Sequence, residues 1–152
     1  MNNETKNKTI HTKLQGIQAS LKAPKGQTNK FGGYSYRSAE DILTAVKPLL
    51  SSNGCTLVIS DDIVGVEGRV YVKATAVLAE SESDYSIQVQ GFAREAETKK
   101  GMDDAQITGS ASSYARKYAL NGLFAIDDTK DPDATNTHGK EASPKAKPQL
   151  DF

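Results

Sequence analysis

Arg116 and Lys117 stand side by side in GSASSYARKYALNGLFAIDD, the stretch from Gly109 to Asp128, which carries no other charge until its closing aspartates. A basic pair beside Gly109, Ser112 and Ser113 suits a phosphate backbone. The cations supply charge, the hydroxyls supply hydrogen bonds and the small residues leave room for approach. At about 100° per residue, Ile107, Ala111, Tyr114, Ala115 and Tyr118 fall on one side of a helix, which reads as its packing face. Gly109, Ser113, Arg116, Lys117 and Leu120 fall on the other. Helical side chains lean toward the N-terminus, so the basic pair overlies the turn holding Ser112 and Ser113. The plain alternative is a solvated basic pair on an ordinary helix, and spacing alone leaves it open.

A second cluster lies in KFGGYSYRS. Lys30 and Arg37 are interleaved there with Phe31, Tyr34 and Tyr36. Single-stranded nucleic acid is held by this combination, in which charge tracks the backbone and rings stack on bases. A buried aromatic hairpin would give the same pattern. Lys99 and Lys100 read as ordinary surface lysines.

Other chemistry lacks its residues. No G-x-x-x-x-G-K-[ST] phosphate loop occurs, which argues against an ATP-driven reaction. No G-x-S-x-G nucleophile elbow occurs. His11 and His138 have no Cys or Glu at ligand spacing, so neither a metal nor another cofactor is expected. Asp127, Asp128, Asp131 and Asp133 could hold Mg²⁺ for phosphodiester hydrolysis. Pro132 and the lack of a distal Glu break the calcium-loop pattern, and a solvated acidic exit is the simpler reading. The chain is therefore expected not to be an enzyme, with a metal-dependent nuclease as the alternative.

The net charge is zero, but it is unevenly spread. Between Met1 and Arg37, seven basic residues face only Glu4. A neutral chain binds a polyanion when its cations share a face. Cys55, the lone cysteine, sits in an apolar run and fits a core position in a reducing compartment. MNNETKNK lacks the apolar core of a signal peptide, and no stretch approaches membrane-spanning length.

The elements that must position these residues follow from periodicity. Ile10, Leu14, Ile17 and Leu21 predict a helix over Lys8 to Ala23, with Pro24 as its stop. A short strand at Tyr34–Tyr36 is compatible with the loop that follows. Ser38, with Asp41 three residues on, reads as a capping box. Ile42, Leu43, Val46, Leu49 and Leu50 give that helix an apolar face, Pro48 should bend or loosen it, and Asn53-Gly54 should end it. Period two then takes over. Cys55, Leu57 and Ile59, then Val70 to Leu78, then Tyr85, Ile87 and Val89 predict three strands, or four if Ile63–Val66 pairs across Glu67-Gly68. Short polar turns favour consecutive antiparallel pairing, and one apolar face calls for helices on one side. Asp103 and Asp104 suit the start of the last helix, with Gly122 as its stop. The fold class is α+β. Residues 1–8 are expected to be a flexible start, 9–128 one core domain, and the polar stretch 129–152 a disordered tail.

FGGYSYRSAEDILTAVKPLL, followed by a sheet and then QITGSASSYARKYALNGLFAIDD, resembles the ERF family, the essential recombination function proteins of phages and prophages. The resemblance covers roughly Thr9 to Asp133, and its second motif, S-Y-A-R-[RK]-Y-A-L, is the more specific. It implies ATP-independent annealing of complementary single-stranded DNA during homologous recombination. It also implies assembly of identical chains into rings or curved filaments, and a core like that of the eukaryotic annealing recombinase, with a helix on an antiparallel sheet. Arg116 and Lys117 match the family's basic pair at the DNA groove, and Tyr34, Tyr36 and Arg37 match its first motif. With Ser112, Ser113 and Lys30 they form the expected DNA-binding set. A host or phage single-strand-binding protein, or an exonuclease, is the implied partner, and the bacterial host cytoplasm the implied location. The closing QLDF resembles the docking tip of bacterial single-strand-binding proteins through Asp151 and Phe152 alone. A single-strand-binding accessory that does not anneal is the second alternative.

Overall fold

The computed structural model describes residues 9–126. In chain order they form α1 (Ile10–Ser20), β1 (Gln27–Asn29), β2 (Tyr34–Tyr36), α2 (Ala39–Asn53), β3 (Cys55–Val66), β4 (Arg69–Glu80), β5 (Ser86–Arg94) and α3 (Asp104–Phe124). Residues 1–8 and 129–152, with the flexibility and disorder expected of them, the Asp127–Asp133 cluster and the QLDF tip lie outside the described residues.

β3, β4 and β5 form one antiparallel sheet in that order, and β1 pairs with β2 in a separate hairpin. Ile63–Val66 does pair across Glu67-Gly68, but as the end of a continuous β3 and not as a fourth strand. Glu67 and Gly68 both take positive φ, 51° and 80°. A two-residue turn of that kind matches the twist of its flanking strands. Val72, Ala74, Ala76 and Leu78 of β4 are buried, as period two requires. Val70 and Tyr85 depart from the expected apolar face, at 38% and 70% exposed. Each lies at a sheet end, past the helical cover.

Each helix differs in extent from its sequence pattern for a local reason. Thr9 caps α1 by accepting from the Thr12 N–H, and Leu21 is already extended ahead of Pro24. α2 runs through Pro48 to Asn53, although Pro48 has no N–H for its helical bond. Buried Ile42, Val46 and Leu50 hold the helix from below, so packing outweighs the missing bond. α3 passes Gly122 and ends with Ala125 in the left-handed region. Leu123 and Phe124, each 1% exposed, make the extra half-turn worthwhile. Burying side chains of this size contributes about 1.5–3 kcal/mol each.

α3 lies across β4 and β5, and α1 and α2 pack against it in turn. Gln18 of α1 donates to the Leu123 carbonyl at 2.9 Å. The close approach to the sheet depends on Gly91 of β5. A Cβ there would stand 2.4 Å from the Ala115 carbonyl oxygen and 2.5 Å from the Ala119 nitrogen. Ala111, Ala115 and Ala119 are the matching small residues on the helix, all buried.

Candidate nucleic-acid interface

α3 begins in a capping box. Asp103 accepts from the Gln106 N–H, and the Gln106 side chain accepts from the Asp103 N–H, both at 2.9 Å. From that fixed start, the helix presents four different environments around its axis.

The sheet face carries Ile107, Ala111 and Ala115, as expected, and also Ala119. Tyr114 and Tyr118 do not belong to it. They are 51% and 38% exposed, with ring centroids 6.2 Å apart. Leu120 and Lys117, placed by the wheel on an open face, are 0% and 6% exposed. The wheel assumes one covered side. The C-terminal half of α3 is covered by the sheet and also by α1 and α2, so its far side is core.

The basic pair is split. Arg116 turns toward β3, where its Nε donates to Asp61 Oδ1 at 3.1 Å and its Nη2 to Oδ2 at 3.3 Å. The Ser112 hydroxyl donates to the same Oδ2 at 2.6 Å. One carboxylate thus gathers two of the expected DNA-binding residues into a clamp between α3 and β3. Gly109 stands in open space, with nothing near a notional Cβ.

Lys117 turns the other way, into a cleft of about 460 Å³ that also takes in Tyr36, Arg37, Ser113 and Tyr114. The two sequence clusters, separated by the whole sheet, meet here. The Lys117 ammonium stands 5.7 Å from the centre of the Tyr114 ring, a cation–π distance. Arg37 is buried and donates through Nε to the Ala23 carbonyl, which fixes its stem. Ser113 is exposed at the rim.

The hairpin and the start of α2 form the opposite wall. Ser38 caps α2 by accepting from the Asp41 N–H at 3.1 Å, and Asp41 accepts from the Ser38 N–H at 2.9 Å. Asp41 also accepts from the Gln27 amide, which ties β1 to α2. Burial pushes its carboxyl upward. Hydrogen bonds from Ser38, Gln27 and Gly26 outweigh this and hold its pKa below the ordinary 3.8. Tyr34 and Tyr36 meet edge to face, with ring centroids 6.3 Å apart. The Tyr34 hydroxyl accepts from Asn29, so Tyr34 braces the hairpin outside the cleft. Lys30 is exposed in the hairpin turn, also outside the cleft.

Of the eight expected residues, the fold brings together Tyr36, Arg37, Ser113 and Lys117. Ser112 and Arg116 go to Asp61, while Tyr34 and Lys30 stay on the hairpin. Asp61 and the outward turn of Tyr114 and Tyr118 were missed. Tyrosines one helical turn apart beside a basic pair were the available signal. Among the described residues, no three His, Cys, Asp or Glu side chains group as a metal site, and no helix is long and apolar enough to cross a membrane.

These features define an α+β domain with a tyrosine-walled cleft, lined by Arg37, Lys117 and Glu40, between a hairpin and one long helix. The chain belongs to the ERF superfamily, whose model matches residues 10–151. It is 55% identical over 134 residues to the essential recombination function protein of Salmonella phage P22, a match covering 88% of this chain and 63% of that protein. The chain therefore spans less than two thirds of that relative's length. No solved structure matches it.

Proposed function

We propose that this chain binds single-stranded DNA and anneals complementary strands without ATP in phage homologous recombination. The observation that carries the proposal is the meeting of Tyr36 and Arg37 with Ser113 and Lys117 in one cleft. Family membership and the recombination function named for the phage P22 relative support it.

The cleft offers what a sequence-independent binder needs. Lys117 and Arg37 neutralise phosphates, Ser113 donates a hydrogen bond, and Tyr36 and Tyr114 present rings to bases. Annealing neither makes nor breaks a covalent bond, so it requires no nucleophile or metal. The groove holds one strand with its base edges open, a second strand samples register, and complementarity fixes the duplex. A ring or filament of identical chains would align successive clefts, so that a neutral protein holds a polyanion with a few cations per subunit. A single-strand-binding protein or exonuclease is the proposed partner, and the bacterial cytoplasm the proposed location.

The test mixes labelled complementary oligonucleotides with the chain and Mg²⁺, without ATP. Duplex should form faster than in the protein-free control. Shortened products would instead indicate a nuclease, and pairing slower than the control a protective accessory.

A further inference from the structure

We infer that a second cleft, on the far side of Tyr114, is a stacking site for the bases of the strand whose phosphates meet Lys117. The inference rests on the single-strand binding proposed above and extends it past Tyr114 to further residues.

The cleft occupies about 500 Å³ along the free edge of β5, between that strand and the N-terminal half of α3. Phe92, Tyr114 and Tyr118 all line it, and they are 48%, 51% and 38% exposed. Single exposed rings are common on protein surfaces, but Tyr114 and Tyr118, one helical turn apart on the same wall of a concavity, mark a binding surface, with Phe92 at the strand edge beside them. Met102, a soft and adaptable side chain, is exposed there too.

Charge identifies the occupant. Arg94 and Lys99 line the cleft, and no acidic side chain lines it among the described residues. Glu95, next in sequence to Arg94, accepts from the Thr108 hydroxyl at 2.6 Å and is held against α3. Rings with cations and no carboxylate form a stacking platform for a polyanion carrying π-faces. Tyr114 lines both clefts, so the two are continuous across one ring.

Spacing adds a constraint. The Tyr114 and Tyr118 rings lie 6.2 Å apart and are tilted 38°. Stacked bases in a duplex strand rise about 3.4 Å per nucleotide. Bases placed on successive rings would therefore be pulled off one another, leaving the strand extended. An extended strand with unstacked bases is ready to pair.

The chain has no tryptophan. Tyr118→Trp thus installs a single tryptophan, excited apart from the remaining tyrosines, in the proposed stacking position. Titration with a short oligothymidylate should quench it in step with binding followed by anisotropy. Because the Tyr118 Cβ packs close to Gly91, Met102→Trp, at an exposed position lining the same cleft, provides an independent reporter should the first variant misfold. Tyr118→Ala should weaken binding about tenfold with an unchanged salt slope, since the ring carries no charge, and Tyr118→Phe should bind as the parent does. Arg94→Ala should lower the slope of log K against log salt by about one. Normal anisotropy binding with unaltered emission from both reporters would overturn the inference. So would parental affinity in Tyr118→Ala. Quenching that follows protein concentration without DNA would assign the cleft to a second copy of the chain and overturn it as well. If the parent bound no oligonucleotide at all, the single-strand reading would fail first and take this inference with it.

Discussion

On one flank of α3, Ser112 and Arg116 close on Asp61; on the other, Ser113 and Lys117 open on a cleft with Tyr36 and Arg37. Each flank has a serine and a cation four residues apart. The two sets are offset by one residue, which is about 100° around the helix. That rotation separates a structural fastening from a binding surface. What decides between them is the neighbour each set meets. Asp61 arrives from β3 and occupies the guanidinium fork. Tyr36 and Arg37 arrive from the hairpin and leave a concavity. A basic dipeptide in a helix is therefore two sites in waiting, and the rest of the fold assigns them.

The most severe way to break the comparison is to remove both flanks together. Gly91→Val would push side-chain atoms into the backbone of α3 at Ala115 and Ala119, where no rotamer change can relieve the contact. Overpacking of this kind costs about 1–3 kcal/mol and more when backbone must move. We expect about 3 kcal/mol, read as a lowered thermal midpoint, together with loss of single-strand binding. An unchanged midpoint would show that the helix does not ride on Gly91 as described.

A smaller effect separates the flanks. Lys117→Met keeps the buried stem and removes the charge. It should weaken oligonucleotide binding about tenfold and reduce the salt slope by about one, with little change in thermal midpoint. Arg116→Ala should do the reverse. Its ion pair with Asp61 is partly exposed, with the side chains at 38% and 26%, so the stability loss should be about 0.5–1 kcal/mol and shrink with added salt. Binding should change less than in Lys117→Met. If Arg116→Ala weakened binding as much as Lys117→Met, the flanks would not be divided in this way, and the basic pair would act on DNA as a unit.

Much of this fold could be read from the chain because its signals are local. Ser38 and Asp41 announce the start of α2, period two sets the faces of β4 from Val72 to Leu78, and Glu67-Gly68 turns the hairpin. The candidate site was only half legible because its determinants are remote. Nothing near Arg116 signals that Asp61, 55 residues earlier, will reach it. Nothing near Leu120 and Lys117 signals that α1 and α2 will cover them. Tyr114 and Tyr118 look like packing residues on a wheel because they border the alanine stripe. They overhang the edge of β5 because, among the described residues, the sheet has three strands and ends beneath them. A fourth strand there would have buried both rings and removed the second cleft.

The smallest expected effect tests the wall opposite Lys117. Asp41 is the joint between β1 and α2, and its pKa lies below 3.8 because its hydrogen bonds favour the carboxylate more than burial disfavours it. A carboxyl with a depressed folded pKa contributes stability that is fully present above its unfolded value. The contribution is lost as the pH falls through the folded value. Asp41→Asn should therefore lower stability by about 1 kcal/mol at neutral pH, the order expected when a charged hydrogen-bond acceptor becomes neutral. The gap from the parent should hold constant down to about pH 4 and narrow below it, as the parent's own carboxylate takes up its proton. Denaturant titrations across that range would measure it. A gap that stayed constant into strong acid would mean that the carboxylate charge adds nothing at this joint. The joint between β1 and α2 would then be held by packing and neutral hydrogen bonds alone. In that case the two flanks of α3 would differ in kind, since the Asp61 clamp joins a carboxylate to a guanidinium and the joint behind the cleft would gain nothing from its charge.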